Sequence, residues 1–212
     1  INKLIKEEQI DAVFSAGIEI SIPILTEVSN NNNLRSFVTQ KSIEMFDDKS
    51  VWRETLGDIV GNLKHKSGTK LEDFKNWKVF PAVIKPVDGT GQRGVHKVNS
   101  FKEVEEVFDK VLEHSKKGKA IIEEFARGEE ISINSFMYNG ELAFYEISDR
   151  ISYNEYPGGI IKEHHIPSKY DNKELREKLE NLVKSVSKIM GYENGHVYYQ
   201  LKIDNNEPKI IE

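Results

Sequence analysis

Val79-Phe80-Pro81-Ala82-Val83-Ile84-Lys85-Pro86 runs directly into Val87-Asp88-Gly89-Thr90-Gly91-Gln92-Arg93-Gly94, and Val95-His96-Lys97-Val98 comes next. The flanking pieces, 79–86 and 95–98, read as strands, and 87–94 between them reads as a loop. Gly89, Gly91 and Gly94 have the GxGxxG spacing, a weak signal by itself. In a dinucleotide-binding fold a helix must open straight after the third glycine, so that its N-terminus meets the pyrophosphate. Here the next residues alternate like a strand, so the unit is strand–loop–strand. No Gly-Lys-Ser/Thr is present after the loop, which excludes a Walker A loop; neither His-Arg-Asp nor Asp-Phe-Gly occurs, which excludes a protein kinase. What remains is a glycine loop with Lys85 at its root, suited to closing amides and a fixed positive charge over phosphate oxygens. A plain glycine-rich hairpin tip is the alternative.

The pattern is clearest downstream. Ser100-Phe101-Lys102-Glu103 is a capping-box sequence. It opens a helix with Phe101, Val104, Val107, Phe108, Val111 and Leu112 on one face. Ala120–Phe125 reads as a strand. Segments 131–137 and 141–147 form a hairpin around Asn139-Gly140. A helix spans 172–190, carrying Leu175, Leu179, Leu182, Val183, Val186, Ile189 and Met190, and Gly191 closes it. A second hairpin, 197–203 and 209–212, turns at Asp204-Asn205-Asn206. Residues 150–168, with Pro157-Gly158-Gly159, read as irregular. Upstream, 61–78 offers only a short helix at 70–77, and a helix lies near 48–60. Residues 1–28 read helix, strand (12–15), helix; the polar run Asn30–Asn33 reads as a loop, and 36–39 as a short strand. Helices, strands and hairpins in this mixture predict an α+β domain behind a short α/β segment.

The glycine loop and the segments downstream of it resemble the ATP-grasp superfamily. Phe80–Pro86 and Asp88–Val95 look like that family's lysine and phosphate-covering lid. Ile121-Ile122-Glu123-Glu124-Phe125-Ala126-Arg127-Gly128-Glu129-Glu130 looks like its hinge. The resemblance implies that Glu123 and the backbone of Glu124–Ala126 read adenine, and that Glu130, seven positions on, accepts from the ribose hydroxyls. It implies that Lys85 and Lys49, which opens a helix after Asp48, contact phosphates. Gly89, Gly91, Gln92 and Gly94 supply the loop over them. The implied fold holds ATP between a small lid, about 55–122, and a larger antiparallel base, about 123–212. Residues 1–45 resemble the end of the Rossmann-like domain that precedes the grasp.

The last hairpin can be argued from alternation alone. Val197, Tyr199, Leu201 and Ile203 share one face; Tyr198, Gln200 and Lys202 share the other. Gln200 and Glu212 therefore come opposite or diagonal. Two oxygen-bearing side chains so placed suit Mg²⁺ held between protein and phosphates, with Mn²⁺ as the alternative ion. Gln at the first position resembles the carbamoyl-phosphate-synthase-like branch. The family continues Glu-x-Asn with Arg soon after, whereas this sequence stops at Glu212. The start at Ile1 and the end inside a strand-like run are expected of a piece of a longer polypeptide.

Other chemistry-bearing residues have plainer alternatives. Arg150 faces the expected cleft and either binds an anionic substrate or makes a surface ion pair. His164 and His165 point opposite ways on an extended chain and cannot share one ion. Of Tyr198 and Tyr199, the one with the apolar set is core. Trp52 and Trp77 read as packing residues. Lys116, Lys117 and Lys119 read as a solvated helix end.

Lys+Arg 30 against Asp+Glu 35 gives a net charge of −5, a mixed surface that argues against nucleic acid or an anionic membrane as partner. With no cysteine, disulfides and thiolate metal sites are excluded. A soluble cytoplasmic protein that takes ATP and a small carboxylate is expected, with a homodimer as the association state to test. The implied activity is an ATP- and Mg²⁺-dependent ligase that phosphorylates a carboxylate or bicarbonate for attack by an amine. A nucleotide-binding regulatory module without ligase chemistry, and a phosphotransferase that stops at phosphorylation, are the alternatives.

Overall fold

Two antiparallel sheets carry the apolar alternation seen in the sequence, and each backs onto one helix. This is a computed structural model, and it describes residues 1–15, 21–35, 38, 40–153 and 160–212, apart from the side chains of Gln40, Lys41 and Phe46. The smaller sheet has strands β1 (His65–Gly68), β2 (Ala82–Pro86), β3 (His96–Val98) and β4 (Ala120–Glu124) in the order β1-β4-β2-β3. Along β2, Ala82 and Ile84 turn into a core with Val98, Ala120 and Ile122. Helix α5 (Phe101–Leu112) covers them with Val104, Phe108 and Val111, and Phe74 and Trp77 complete the cluster. The capping box is half formed. Ser100 Oγ accepts from the Glu103 N–H at 3.3 Å, while the Glu103 carboxylate turns to the Asn99 N–H at 3.0 Å.

Strand period 2 leaves Val83, Lys85, Ile121 and Glu123 on the opposite face, where Val83 pairs with Glu123 and Lys85 with Ile121. Ile121 and Glu123 are nonetheless buried. That face is turned inward.

The larger sheet runs β7-β6-β5-β8-β9, built from β5 (Glu129–Tyr138), β6 (Glu141–Ser152), β7 (Ile161–His165), β8 (Gly195–Asp204) and β9 (Glu207–Ile210). Both expected hairpins form. Asn139 (φ 50°) and Gly140 (φ 79°) turn the first, and Asn205 (φ 52°) and Asn206 (φ 62°) the second, as primed turns require. Helix α6 (Lys173–Met190) ends at left-handed Gly191 and lays Leu175, Leu179, Val183, Val186 and Met190 on Ile131, Ile133, Ile147, Leu201 and Ile210. Tyr199 joins this core, as its apolar phase predicts, whereas Tyr198 is exposed. Trp52 packs at the edge of the same core and Trp77 lies in the other.

Helices α1 (Asn2–Glu7), α2 (Ile22–Asn31), α3 (Gln40–Phe46) and α4 (Lys49–Leu56) precede the sheets. Leu56 of α4 reaches the larger core. Among the described residues, no helix is long and apolar enough to cross a membrane.

Four expectations need correction. The expected strand at 12–15 is a single parallel bridge between Ala12 and Arg35, and the strand expected over 36–39 falls largely outside the described residues. Asn30 and Asn31 are helical, because the asparagine run serves as a helix end: the Asn32 N–H bonds Ser29 O at 3.2 Å and Asn33 takes a left-handed φ of 54°. Segment 61–78 holds strand β1. Segment 150–168 is less irregular than its composition suggests, since β6 runs to Ser152 and β7 pairs with it. The Pro157-Gly158-Gly159 piece lies outside the described residues.

The two sheets join through residues 125–128, and Gly128 fixes that path. Its φ is +96°, and a Cβ there would lie 2.0 Å from the backbone oxygen of Ile203 on β8. No side-chain rotation relieves a clash with backbone. Gly128→Ala should cost about 2 kcal/mol or more, a drop of roughly 4–8 °C in melting temperature. Thermal unfolding checks it, and an unchanged midpoint would mean the linker does not depend on this close approach.

Candidate active site

The inward face of the smaller sheet carries a buried charge cluster. On β4, Glu123 gives one carboxylate oxygen to Lys85 Nζ of β2 at 2.7 Å and the other to Arg53 Nε of α4 at 2.9 Å. Arg53 is fully buried. Its other nitrogens donate to Asn62 Oδ1 at 3.1 Å and to the Ile211 carbonyl at 3.2 Å, and its guanidinium lies 4.6 Å from the Trp52 ring centre. Burial would raise the Glu123 carboxyl, but the charges and hydrogen bonds of Lys85 and Arg53 hold it at about 2 against an ordinary 4.5. Burial lowers Lys85, Glu123 pulls it back up, and Arg53 adds to the lowering.

The glycine loop hangs beside this cluster. Val87 is buried, and its backbone bonds Lys119 O at 3.2 Å and the Lys49 N–H at 2.9 Å. Asp88 accepts from Ser115 Oγ at 2.6 Å and from the Lys117 N–H at 3.0 Å. The root is therefore anchored, and only the tip, 90–93, is exposed. Gly91 (φ 64°), Gln92 (φ 58°) and Gly94 (φ 70°) are left-handed, a conformation that costs glycine least. Lys49 Nζ donates to Gly89 O at 2.9 Å and stands 3.9 Å from a Glu212 carboxylate oxygen. Asp48 caps α4 by accepting from the Ser50 N–H at 2.9 Å. Lys119 reaches Ser50 Oγ at 2.6 Å, and Lys117 pairs with Asp47 at 2.9 Å, so these lysines are not merely a solvated helix end.

On the larger sheet, the face opposite α6 presents Glu130, Arg150, Tyr198 and Gln200. Arg150 Nε lies 2.7 Å from a Glu130 oxygen, as an ion contact outside hydrogen-bond alignment. Arg150 also donates to the Tyr198 hydroxyl, and Gln200 donates its amide N–H to Glu130. The Gln200 N–H bonds Glu212 O at 2.7 Å and its carbonyl accepts from the Ile211 N–H at 2.8 Å, which fulfils the expected pairing of positions 200 and 212. A pocket at this end of the sheet is lined by Glu129, Glu130, Arg150, Lys169 and Tyr170, with Asp149 and His165, which pair opposite each other on the Ile131 face. His164 meets Ser148 Oγ at 3.2 Å while His165 pairs with Glu163, so the two histidines do separate.

These contacts join end to end, from Lys85 through Glu123, Arg53 and the Ile211–Glu212 backbone to Gln200, Glu130 and Arg150. Of the candidate residues singled out in the sequence, the chain of contacts takes in Lys85, Glu123, Glu130, Arg150, Gln200 and Glu212, with Lys49 and Gly89 beside it. It does not take in Gly91, Gln92 and Gly94 at the loop tip, Ala126 in the linker, or Glu124, which instead binds the Lys64 N–H at 3.2 Å and faces Lys209 at 3.6 Å. Phe125 in the linker has Lys97 Nζ 4.2 Å and Lys202 Nζ 5.8 Å from its ring centre.

Arg53 escaped the sequence reading. Its signal was faint: Ser50, Arg53 and Leu56 form the buried face of α4, so a charge stands at an inward position. Among the described residues no cluster of three or more His, Cys, Asp or Glu could hold a metal by itself. Gln200 and Glu212 could give a hard cation two oxygens, with the rest supplied by a ligand. Here the Gln200 amide nitrogen is turned to Glu130, which leaves its oxygen available.

Because the folded value for Glu123 lies below the unfolded one, the unfolded chain binds more protons between them. The stability from its ionised form is complete above pH 4.5 and is lost as pH falls through about 2. The difference in unfolding free energy between wild type and Glu123→Gln should thus be level above that window and shrink within it. A difference indifferent to pH would show that the two cations do not hold the carboxylate ionised.

Residues 78–212 match the model of the ATP-grasp domain. The chain is 30% identical over 153 residues to the D-alanine–D-alanine ligase of Fusobacterium nucleatum, covering 67% of this chain and 46% of that protein. It is 29% identical over 182 residues to the phosphoribosylamine–glycine ligase of Methanocaldococcus jannaschii, covering 73% and 40%. It thus spans less than half the length of these curated relatives. Among solved structures, it resembles the biotin carboxylase domain of Hydrogenobacter thermophilus 2-oxoglutarate carboxylase, solved with MgADP and bicarbonate. The TM-score is 0.80 at 17% identity, over 100% of this chain and 49% of that one, a likeness of fold. With the family model matched across the glycine loop, the hinge and both hairpins, the chain belongs to the ATP-grasp family.

Proposed function

We propose that the chain is the nucleotide-binding core of an ATP- and Mg²⁺-dependent ligase that phosphorylates a carboxylate or bicarbonate, for attack by an amine. The observation that carries this reading is the continuous polar chain between the sheets, with cations on the lid side and oxygen donors on the base side. Residues 46–212 are the grasp, the smaller sheet its lid and the larger its base; residues 1–45 belong to a preceding domain. The relatives named above support the class, being ligases named for an amino acid and a second reactant.

In this reading adenine lies against the backbone of Glu124–Ala126, and Glu130 takes the ribose hydroxyls. Lys85, Lys49 and the amides from Gly89 to Gly94 take the phosphates. Mg²⁺, held by Gln200 and Glu212, neutralises phosphate charge when bound. The MgADP in the carboxylase neighbour supports that choice. A substrate carboxylate oxygen attacks the γ-phosphorus, the bond to the β-bridging oxygen breaks, and ADP leaves with that electron pair. The amine then adds to the acyl carbon, loses a proton and expels phosphate. A carboxylate needs no strong base for the first step, so the chain contributes position and charge. Arg150, at the open end of the cleft, is placed to orient the anionic substrate.

Lys85→Ala should weaken Mg·ATP binding by about 2 kcal/mol, roughly 30-fold. The free protein should melt only about 5 °C lower, because Glu123 keeps Arg53 as partner. Calorimetric titration beside thermal melts reads both, and wild-type affinity in the variant would remove Lys85 from the nucleotide site.

A further inference from the structure

Glu123 holds two cations, and they are not equivalent. The Arg53 side chain has 0% of its surface exposed and is tied to three partners: Glu123 on β4, Asn62, and the Ile211 carbonyl beside the terminal hairpin. The Lys85 side chain has 12% exposed and, among the described residues, is fastened only to Glu123. One cation is fixed and the other has access to the cleft.

We infer that Arg53 is a positioning residue that frees Lys85 for the nucleotide, by remaining as the countercharge of Glu123 when Lys85 Nζ turns to phosphate. This rests on the nucleotide reading of the site. A carboxylate as buried as Glu123 cannot lose its last partner without a large desolvation penalty. If Lys85 were its sole counterion, every contact between Lys85 and phosphate would strand a buried charge, and the lysine would stay where it is. With Arg53 in place, the Arg53–Glu123 pair is neutral whether Lys85 points to Glu123 or away. The Arg53 charge also disfavours the Lys85 cation beside it. Its bond to Ile211 sets the fixed charge next to Glu212, so the lid strand, α4 and the hairpin share one anchor.

The test compares wild type, Arg53→Gln and Arg53→Lys in the full chain. It reads affinity and melting shift with Mg·ATP and with adenosine, which has no phosphate. Lysine keeps a buried cation for Glu123 but cannot reproduce the bonds to both Asn62 and Ile211; glutamine keeps polarity without charge. Arg53→Gln should bind Mg·ATP roughly tenfold more weakly or worse, with adenosine within about threefold, and Arg53→Lys should stay within about threefold for both. Wild-type Mg·ATP affinity in Arg53→Gln, equal loss in both variants, or equal loss of both ligands in Arg53→Gln would each overturn the inference and leave Arg53 as scaffold. If Arg53→Gln does not fold, Arg53→Lys decides: retained Mg·ATP affinity upholds the inference and its loss overturns it. A wild-type chain that binds no Mg·ATP would sink the nucleotide reading and this inference with it, whereas wild-type binding with an unaffected Arg53→Gln sinks the inference alone.

Discussion

A single carboxylate, that of Glu123, holds the molecule's working parts in register. It sits on the inward face of β4, where it must be paired because it is shut away from water. Its partners come from β2 and from α4, and α4 in turn bonds the backbone at Ile211. Thus one buried charge ties the smaller sheet, the helix that opens at Lys49, and the edge of the larger sheet. Replacing such a cluster by apolar groups can be neutral for stability. A fully buried arginine in a domain with two ordinary hydrophobic cores therefore suggests that the charges serve the site more than the fold.

The division of labour comes from strand alternation. In both sheets the odd and even positions separate an apolar set, covered by α5 or α6, from a second set that carries the charged residues, Glu123 and Lys85 in the smaller sheet and Glu130 and Arg150 in the larger. Each strand thus supplies core and site together. Leu201 is core while Gln200 lies on the face of the candidate site, and Ile84 is core while Lys85 meets the buried Glu123. A slip of one residue in either sheet would exchange the two sets wholesale, so the tight turns at Asn139-Gly140 and Asn205-Asn206 matter to the chemistry as much as to the fold.

The legible and the hidden parts of the sequence divide along the same physical line. Helices α5 and α6 and the two hairpins were legible because burial on one face writes a period into the residues. Strands β1 and β7 were not. Both are edge strands, paired on one side only, and neither contains a fully buried residue. They are held by backbone hydrogen bonds to β4 and β6, which leave little mark on side-chain choice. Lys49, Lys85, Glu130, Gln200 and Glu212 stand out as candidates through local motifs. Arg53 was not, because what defines it is contact with Glu123, 70 positions away, and with Ile211, 158 positions away.

The sign of the charges on the two faces suits the metal ion of the proposed reading. The lid side, with Lys85, Arg53 and Lys49 against Glu123, carries an excess of positive charge and suits polyphosphate by itself. The base side offers Glu130, which Arg150 already meets at 2.7 Å, and Glu212, whose side chain is largely exposed with Lys49 as a distant partner at 3.9 Å. Phosphate drawn down by the lid would meet that carboxylate as a like charge at short range, where screening is weak. In the proposed reading, Glu212 and the Gln200 oxygen would hold a divalent cation, which would offset this repulsion. An all-cationic base would bind phosphate more simply. It would also compete with the metal for the oxygens whose charge must shift during transfer. In that reading, the acids of one face would leave the phosphates to the cations of the other and to a bound divalent ion.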